Sequence, residues 1–125
     1  MNESVYQIIF DKISPFLPQD WSHMAFFAGY TKGSYTMKFY SKNVDGVYMD
    51  CYNIPGISRI DLIRLFMELD KILTPNRKEF GNDKEWTIMT LICDSEGHMT
   101  SAYDYNDHSE DMVSFEQKWQ TENIK

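Results

Sequence analysis

Apolar residues recur along this chain with two different periods, and the switches between them mark out eight elements. Val5, Ile8, Ile9 and Ile13 fall at helical spacing, and Ser14-Pro15 ends that first helix. Met24 to Tyr30 is almost wholly apolar, as a central strand is. Thr31-Lys32-Gly33-Ser34 then reads as a hairpin turn, after which Tyr35, Met37 and Phe39 alternate with Thr36 and Lys38. A second turn at Asn43-Val44-Asp45-Gly46 leads to Val47, Met49 and Cys51 against Tyr48, Asp50 and Tyr52, so the three strands form a meander.

The period changes again after Ile54-Pro55-Gly56. Ser58 and Asp61 have capping-box spacing, and Leu62, Leu65, Phe66, Leu69, Ile72 and Leu73 form the buried stripe of a long helix. Thr74-Pro75 stops or kinks it, and Asn76 to Lys84 is polar and irregular or adds one helical turn. Trp86 to Cys93 is the next strand, Asp94-Ser95-Glu96-Gly97 its turn, and His98 to Tyr105 the returning partner. A short helix follows from near Ser114, with Gln117 completing a capping box and Phe115 and Trp119 on one face. The order is helix-strand-strand-strand-helix-strand-strand-helix. The fold class this predicts is α+β: one domain spanning 1–125, an antiparallel sheet of about five strands, and helices packed on one face.

Length and composition add limits rather than identity. A chain of 125 residues with 42% hydrophobic and 25% charged content buries a core without metal or disulfide staples. Cys51 and Cys93 each lie in an apolar run, without the spacing of a zinc site, and read as buried thiols of a reducing compartment. No basic leader precedes a long apolar core, and no apolar run nears the roughly 18 residues of a membrane span, so a cytoplasmic protein is expected.

Charge changes the picture. From Glu85 to Gln117 there is no Lys or Arg, while Glu85, Asp94, Glu96, Asp104, Asp107, Glu110, Asp111 and Glu116 put −8 on the stretch. The whole chain carries −7, so the acidity is regional. A field of one sign repels nucleic acid and attracts basic partners. Half of the cations elsewhere, Arg59, Arg64, Lys71, Arg77, Lys78 and Lys84, follow or sit on the second helix, interspersed with Glu68, Asp70, Glu79 and Asp83, and form no clean basic stripe.

Candidate chemistry is sparse. A metal set of Asp94, His98, Asp104 and His108 matches no ligand spacing with a mechanism behind it, so no metal or other cofactor is expected. Asp104-Tyr105-Asn106-Asp107 lacks the glycine and terminal glutamate of a calcium loop. Cys93 or Ser95 with His98 or His108 would be the nucleophile–base pairs, but Cys93 ends an apolar strand beside Asp94, which raises a thiol pKa. No nucleophile elbow, P-loop or dinucleotide motif is present. A surface without catalysis is the expectation. The hairpin and following loop instead offer aromatic rings beside carboxylates: Trp86 and Tyr105 as anchors, with Asp94, Glu96, Asp104, Asp107, Glu110 and Asp111 as charge-complementary groups for a basic protein surface.

Several landmarks, taken in order, resemble the YezG-like family of immunity proteins. They are Pro18-Gln19-Asp20-Trp21 before the apolar strand, the aromatic strand Tyr35 to Tyr40, and the Asn53-Ile54-Pro55 break before a long helix. Glu85-Trp86-Thr87 then leads into Leu91-Ile92-Cys93-Asp94-Ser95-Glu96-Gly97-His98, Tyr103-Asp104-Tyr105-Asn106-Asp107 returns, and Trp119 closes the chain. The resemblance implies a cytoplasmic antitoxin of Gram-positive bacteria. Its partner would be the C-terminal nuclease domain of a toxin exported by a type VII-like pathway. A nuclease surface holds phosphates and is basic, so an acidic face fits it. A non-catalytic adaptor for another basic protein is the alternative. The oligomeric state is open, with a monomer preferred.

Overall fold

The computed structural model describes residues 3–78 and 84–125. Its elements are α1 (Glu3–Ile13), β1 (Trp21–Thr31), β2 (Ser34–Asn43), β3 (Tyr48–Asp50), α2 (Arg59–Leu73), β4 (Ile88–Asp94), β5 (Met99–Asp104) and α3 (Met112–Asn123), in the order the pattern predicts. Single 3₁₀ turns at Ser14–Phe16 and Thr74–Asn76 follow α1 and α2, and each carries its proline at an early position, where a missing N–H matters little. Lys78 bridges to Glu85 beyond the second of these turns. The rest of the stretch expected to be irregular, 79–83, lies outside the described residues.

All strand pairs are antiparallel and the sheet order is β3-β2-β1-β4-β5. β1 is central because Met24 to Tyr30 is buried on both faces. Met24, Phe26, Ala28 and Tyr30 join Ile9, Ile13, Leu62, Leu65, Phe66, Leu69 and Leu73 in a large core beneath α1 and α2. Ala25 and Phe27 turn the other way and join Tyr40, Ile88 and Trp119 under α3. The expectation of helices on one face is therefore corrected. A strand that is apolar on both sides needs cover on both sides, and α3 supplies the second layer. Trp119 anchors it, with its ring 4.9 Å from Phe27 and its Nε1–H donating to Thr90 Oγ1 at 2.8 Å. Gly29 makes room for this helix, since a Cβ there would stand 3.0 Å from the Met112 methyl and 3.1 Å from the Phe27 ring.

Local chemistry fixes the boundaries. Ser58 caps α2 by accepting the Asp61 N–H at 3.1 Å, and the buried stripe follows except that Ile72 is half-buried. On α1 the buried residues are Val5, Ile9 and Ile13, whereas Ile8 is 42% exposed. β3 stops at Asp50, short of the expected alternation through Tyr52, because the Asp50 carboxylate accepts the Tyr52 N–H at 2.9 Å and turns the chain into a 3₁₀ segment. α3 begins at Met112 rather than near Ser114, whose hydroxyl donates to the Asp111 carbonyl instead of capping.

Candidate functional site

The β4–β5 register decides where the acidic residues stand. Ile88 pairs with Asp104 and Cys93 with Met99, so the Asp94–Gly97 turn and the loop after Asp104 lie at opposite ends of the hairpin. At about 3.4 Å per residue the ends are roughly 20 Å apart. The acidic stretch is thus two acidic ends.

At the turn end, Asp94 organises the loop. One carboxylate oxygen accepts the N–H groups of Glu96 and His98 at 2.9 and 3.0 Å, and the other meets His98 Nδ1 at 2.9 Å. The His98 N–H, with help from the His98 ring and the Glu96 N–H, holds this carboxyl below the usual carboxylate range. Gly97 takes φ +94°, the left-handed region that closes the turn. Glu96 projects with its side chain 80% exposed. Ligand atoms of Asp94, Glu96 and His98 lie within 4.8 Å of one another. Those of Asp94 are already engaged in holding the turn.

At the other end, loop 104–111 is pinned to the start of β4. Thr87 Oγ1 donates to the carbonyls of Asp104 and Asn106 at 3.1 and 2.6 Å. Asp104 accepts the Asn106 N–H at 2.7 Å, and Asp107 accepts from Ser109 through both its backbone N–H and its hydroxyl. The Ser109 hydroxyl, then its N–H, depresses the Asp107 pKa. His108 is buried beneath, its Nδ1 3.0 Å from Asp111, its Nε2 3.3 Å from Asp104, and its ring 4.2 Å from Phe115. The loop carboxylates shape the loop and still point charge at solvent, for Asp107, Glu110 and Asp111 are exposed and Asp104 is half-buried.

Tertiary structure also supplies cations that the stretch itself lacks. Lys32 of the β1–β2 turn lies 3.9 Å from Asp107, Arg77 is 3.9 Å from Glu85, and Lys38 is 3.9 Å from Glu116. None of these pairings is visible from sequence, since each crosses between elements. Both ends keep an outward field, since the Lys32–Asp107 pair is solvent-exposed on both sides and Glu96 and Glu110 are exposed.

Trp86 must be withdrawn as a contact. It is fully buried, with ring centroids 5.6 Å from Tyr30 and 5.7 Å from Tyr103, and its carbonyl accepts from Arg77 Nε at 2.9 Å. A large ring at the mouth of a strand found the core rather than the surface. Tyr105 is half-buried and packs against that same core.

The imagined metal quartet is split, with Asp94 and His98 at the turn and Asp104 and His108 at the far loop. The nucleophile pairs fare no better. Cys93 is buried, and burial together with Asp94 pushes its thiol up to about 11; burial pushes Cys51 up to about 12. Among the described residues no helix is long and apolar enough to cross a membrane.

Sequence reasoning missed one surface, although its signal was present. Ile60, Ile63 and Met67 repeat at helical spacing on α2 outside the core stripe, and they are 62%, 50% and 51% exposed.

A helix-flanked antiparallel α+β domain, with its charge gathered at two ends of one hairpin, is the class of protein this geometry defines. The profile of the family described as "Immunity protein YezG-like" matches residues 2–125, and the chain belongs to that family. It is similar to two proteins named Immunity protein YezG. That of Bacillus spizizenii is 28% identical over 110 residues, covering 82% of this chain and 68% of the relative. That of Bacillus subtilis is 25% identical over 111 residues, covering 84% of this chain and 74% of the relative.

Proposed function

We propose that this protein is a cytoplasmic antitoxin that binds the C-terminal nuclease domain of a cognate secreted toxin and performs no chemistry itself. The observation that carries this is membership of the immunity family across residues 2–125. The charge map supports it: a nuclease must present a basic surface to phosphates, and two acidic ends on one rigid hairpin compete for such a surface. Asp104, Asp107, Glu110 and Asp111, with the half-buried Tyr105 behind them, form the larger end, and Asp94 with Glu96 the smaller. The toxin belongs to a type VII-like secretion system of a Gram-positive producer, and the antitoxin protects that cell from its own weapon.

The test is co-expression with the C-terminal nuclease domain of a cognate toxin. A stoichiometric complex should co-purify, with nuclease activity abolished in it. Full nuclease activity in the presence of excess antitoxin would refute the reading.

A further inference from the structure

β2 is ten residues long, but β3 covers only one end of it, pairing at Tyr40, Ser41 and Lys42. In an antiparallel ladder alternate residues turn their N–H and C=O to the same side. Ser41 pairs with Met49, the Asn43 N–H reaches the Val47 carbonyl, and the Phe39 N–H meets the Cys51 sulfur, so the odd-numbered residues face outward. Tyr35 and Met37 continue this phase, and among the described residues no backbone group stands opposite them. A row of unpaired edge groups is a template for another strand.

Beside this edge runs a groove of about 270 Å³ between β2 and α2, lined by Tyr35, Met37, Lys38, Tyr52, Ile63 and Phe66. Ile60, Ile63 and Met67 extend the apolar surface up the flank of α2, all at least half exposed. At 100° per residue, Arg59, Arg64 and Lys71 share this arc, whereas Asp61 and Glu68 turn toward α1, where Lys12 is 3.2 Å from Glu68. Asp70 borders the groove, and its carboxylate accepts from the Tyr30 hydroxyl at 2.7 Å and from Thr74 Oγ1 at 2.9 Å. Those neutral hydroxyls leave the Asp70 charge in place, and Lys38 is paired with Asp50 at 3.4 Å, so the rim is apolar and mixed in charge, with Arg59, Arg64 and Lys71 outnumbering Asp70.

We infer that the open edge of β2 accepts an extended segment of the toxin partner, a strand with apolar residues at alternate positions and carboxylates beside them. This rests on the antitoxin reading and adds a second contact to the acidic ends. The segment's backbone pairs with the N–H and C=O of Tyr35 and Met37, its apolar side chains enter the groove against Ile63 and Tyr52, and its carboxylates meet Arg59, Arg64 and Lys71. A second copy of this chain fits less well. Pairing β2 with β2 across a two-fold axis would bring the two sets of cations together.

The probe is the nuclease domain of the cognate toxin, the same one used in the co-expression test, measured against the wild type and the double variant Ile63→Asp, Met67→Asp. Both positions are about half exposed, so an unchanged thermal melt should confirm the variant's fold. The expected result is slowed amide exchange at Tyr35 and Met37 in the complex, together with a loss of affinity of tenfold or more, on the order of a hot-spot truncation. A complex in which those amides exchange at the free rate and the variant binds like wild type overturns the docking site and leaves the antitoxin reading standing. No complex with either protein overturns both.

Discussion

Asp94 and Asp104 stand at opposite ends of the β4–β5 hairpin, with six strand pairs from Ile88↔Asp104 to Cys93↔Met99 between them. They lie only ten positions apart in sequence and are joined by a tight turn, yet a partner must be roughly 20 Å wide to touch both. Binding can therefore be dissected end by end.

Charge reversal at the larger end, Asp107→Lys with Glu110→Lys, should slow association with the toxin domain by about tenfold at low salt and much less at high salt. Glu96→Lys at the turn end should have the smaller effect, because fewer carboxylates share that end. Stopped-flow association at several ionic strengths distinguishes the two. Equal effects that ignore salt would mean that the charges do not steer the encounter.

Trp86 should behave as a core residue. Trp86→Ala should lower folding stability by about 3–5 kcal/mol, as large-to-small core changes do, measured by denaturant unfolding. The fraction still folded should bind the toxin domain with wild-type affinity. An affinity loss exceeding the loss of folded protein would return Trp86 to the contact surface.

The second layer depends on Trp119. Thr90→Val keeps the shape of the side chain but leaves the indole N–H without its 2.8 Å acceptor, which should cost about 1–3 kcal/mol. Trp119→Ala should cost more, and it should raise amide exchange throughout α3 while leaving α1 and α2 protected. Uniform loss of protection across all three helices would show that the two faces do not respond separately.

Acid should weaken the hairpin through Asp94 and the loop through Asp107. Both carboxyls are depressed in the folded chain, so their contribution is complete above the ordinary carboxylate pKa of about 3.9 and is lost as pH falls through the folded values. Thermal melts from pH 6 down to pH 2 should show stability falling below about pH 4. Asp94→Asn, which cannot titrate, should flatten part of that fall. A variant with the same slope as wild type would assign the acid sensitivity elsewhere.

How much was legible varied with how local the signal was. The helix at Arg59–Leu73 was readable because Ser58 caps it and its apolar spacing is unambiguous. The β4–β5 turn was readable because Asp94 and Gly97 carry turn chemistry of their own. The third strand was overextended through Tyr52, because alternation alone does not reveal that Asp50 will cap its own turn. The burial of Trp86, one of the eight residues chosen for contact, was not legible for the same reason: a side chain's burial depends on what covers it.

By itself, then, the sequence determined the α+β class, the order of eight elements, the turns and the regional excess of carboxylates. Those follow from periodicity, capping and charge count, which act between near neighbours. Only the tertiary structure decided that α3 crosses to the opposite face, that the acidic stretch divides into two ends, that Lys32, Lys38 and Arg77 come to meet it, and that β3 leaves the edge of β2 open. These depend on strand register and on which layer each helix covers. Both are set by contacts between residues distant in the chain, where local patterns carry no instruction.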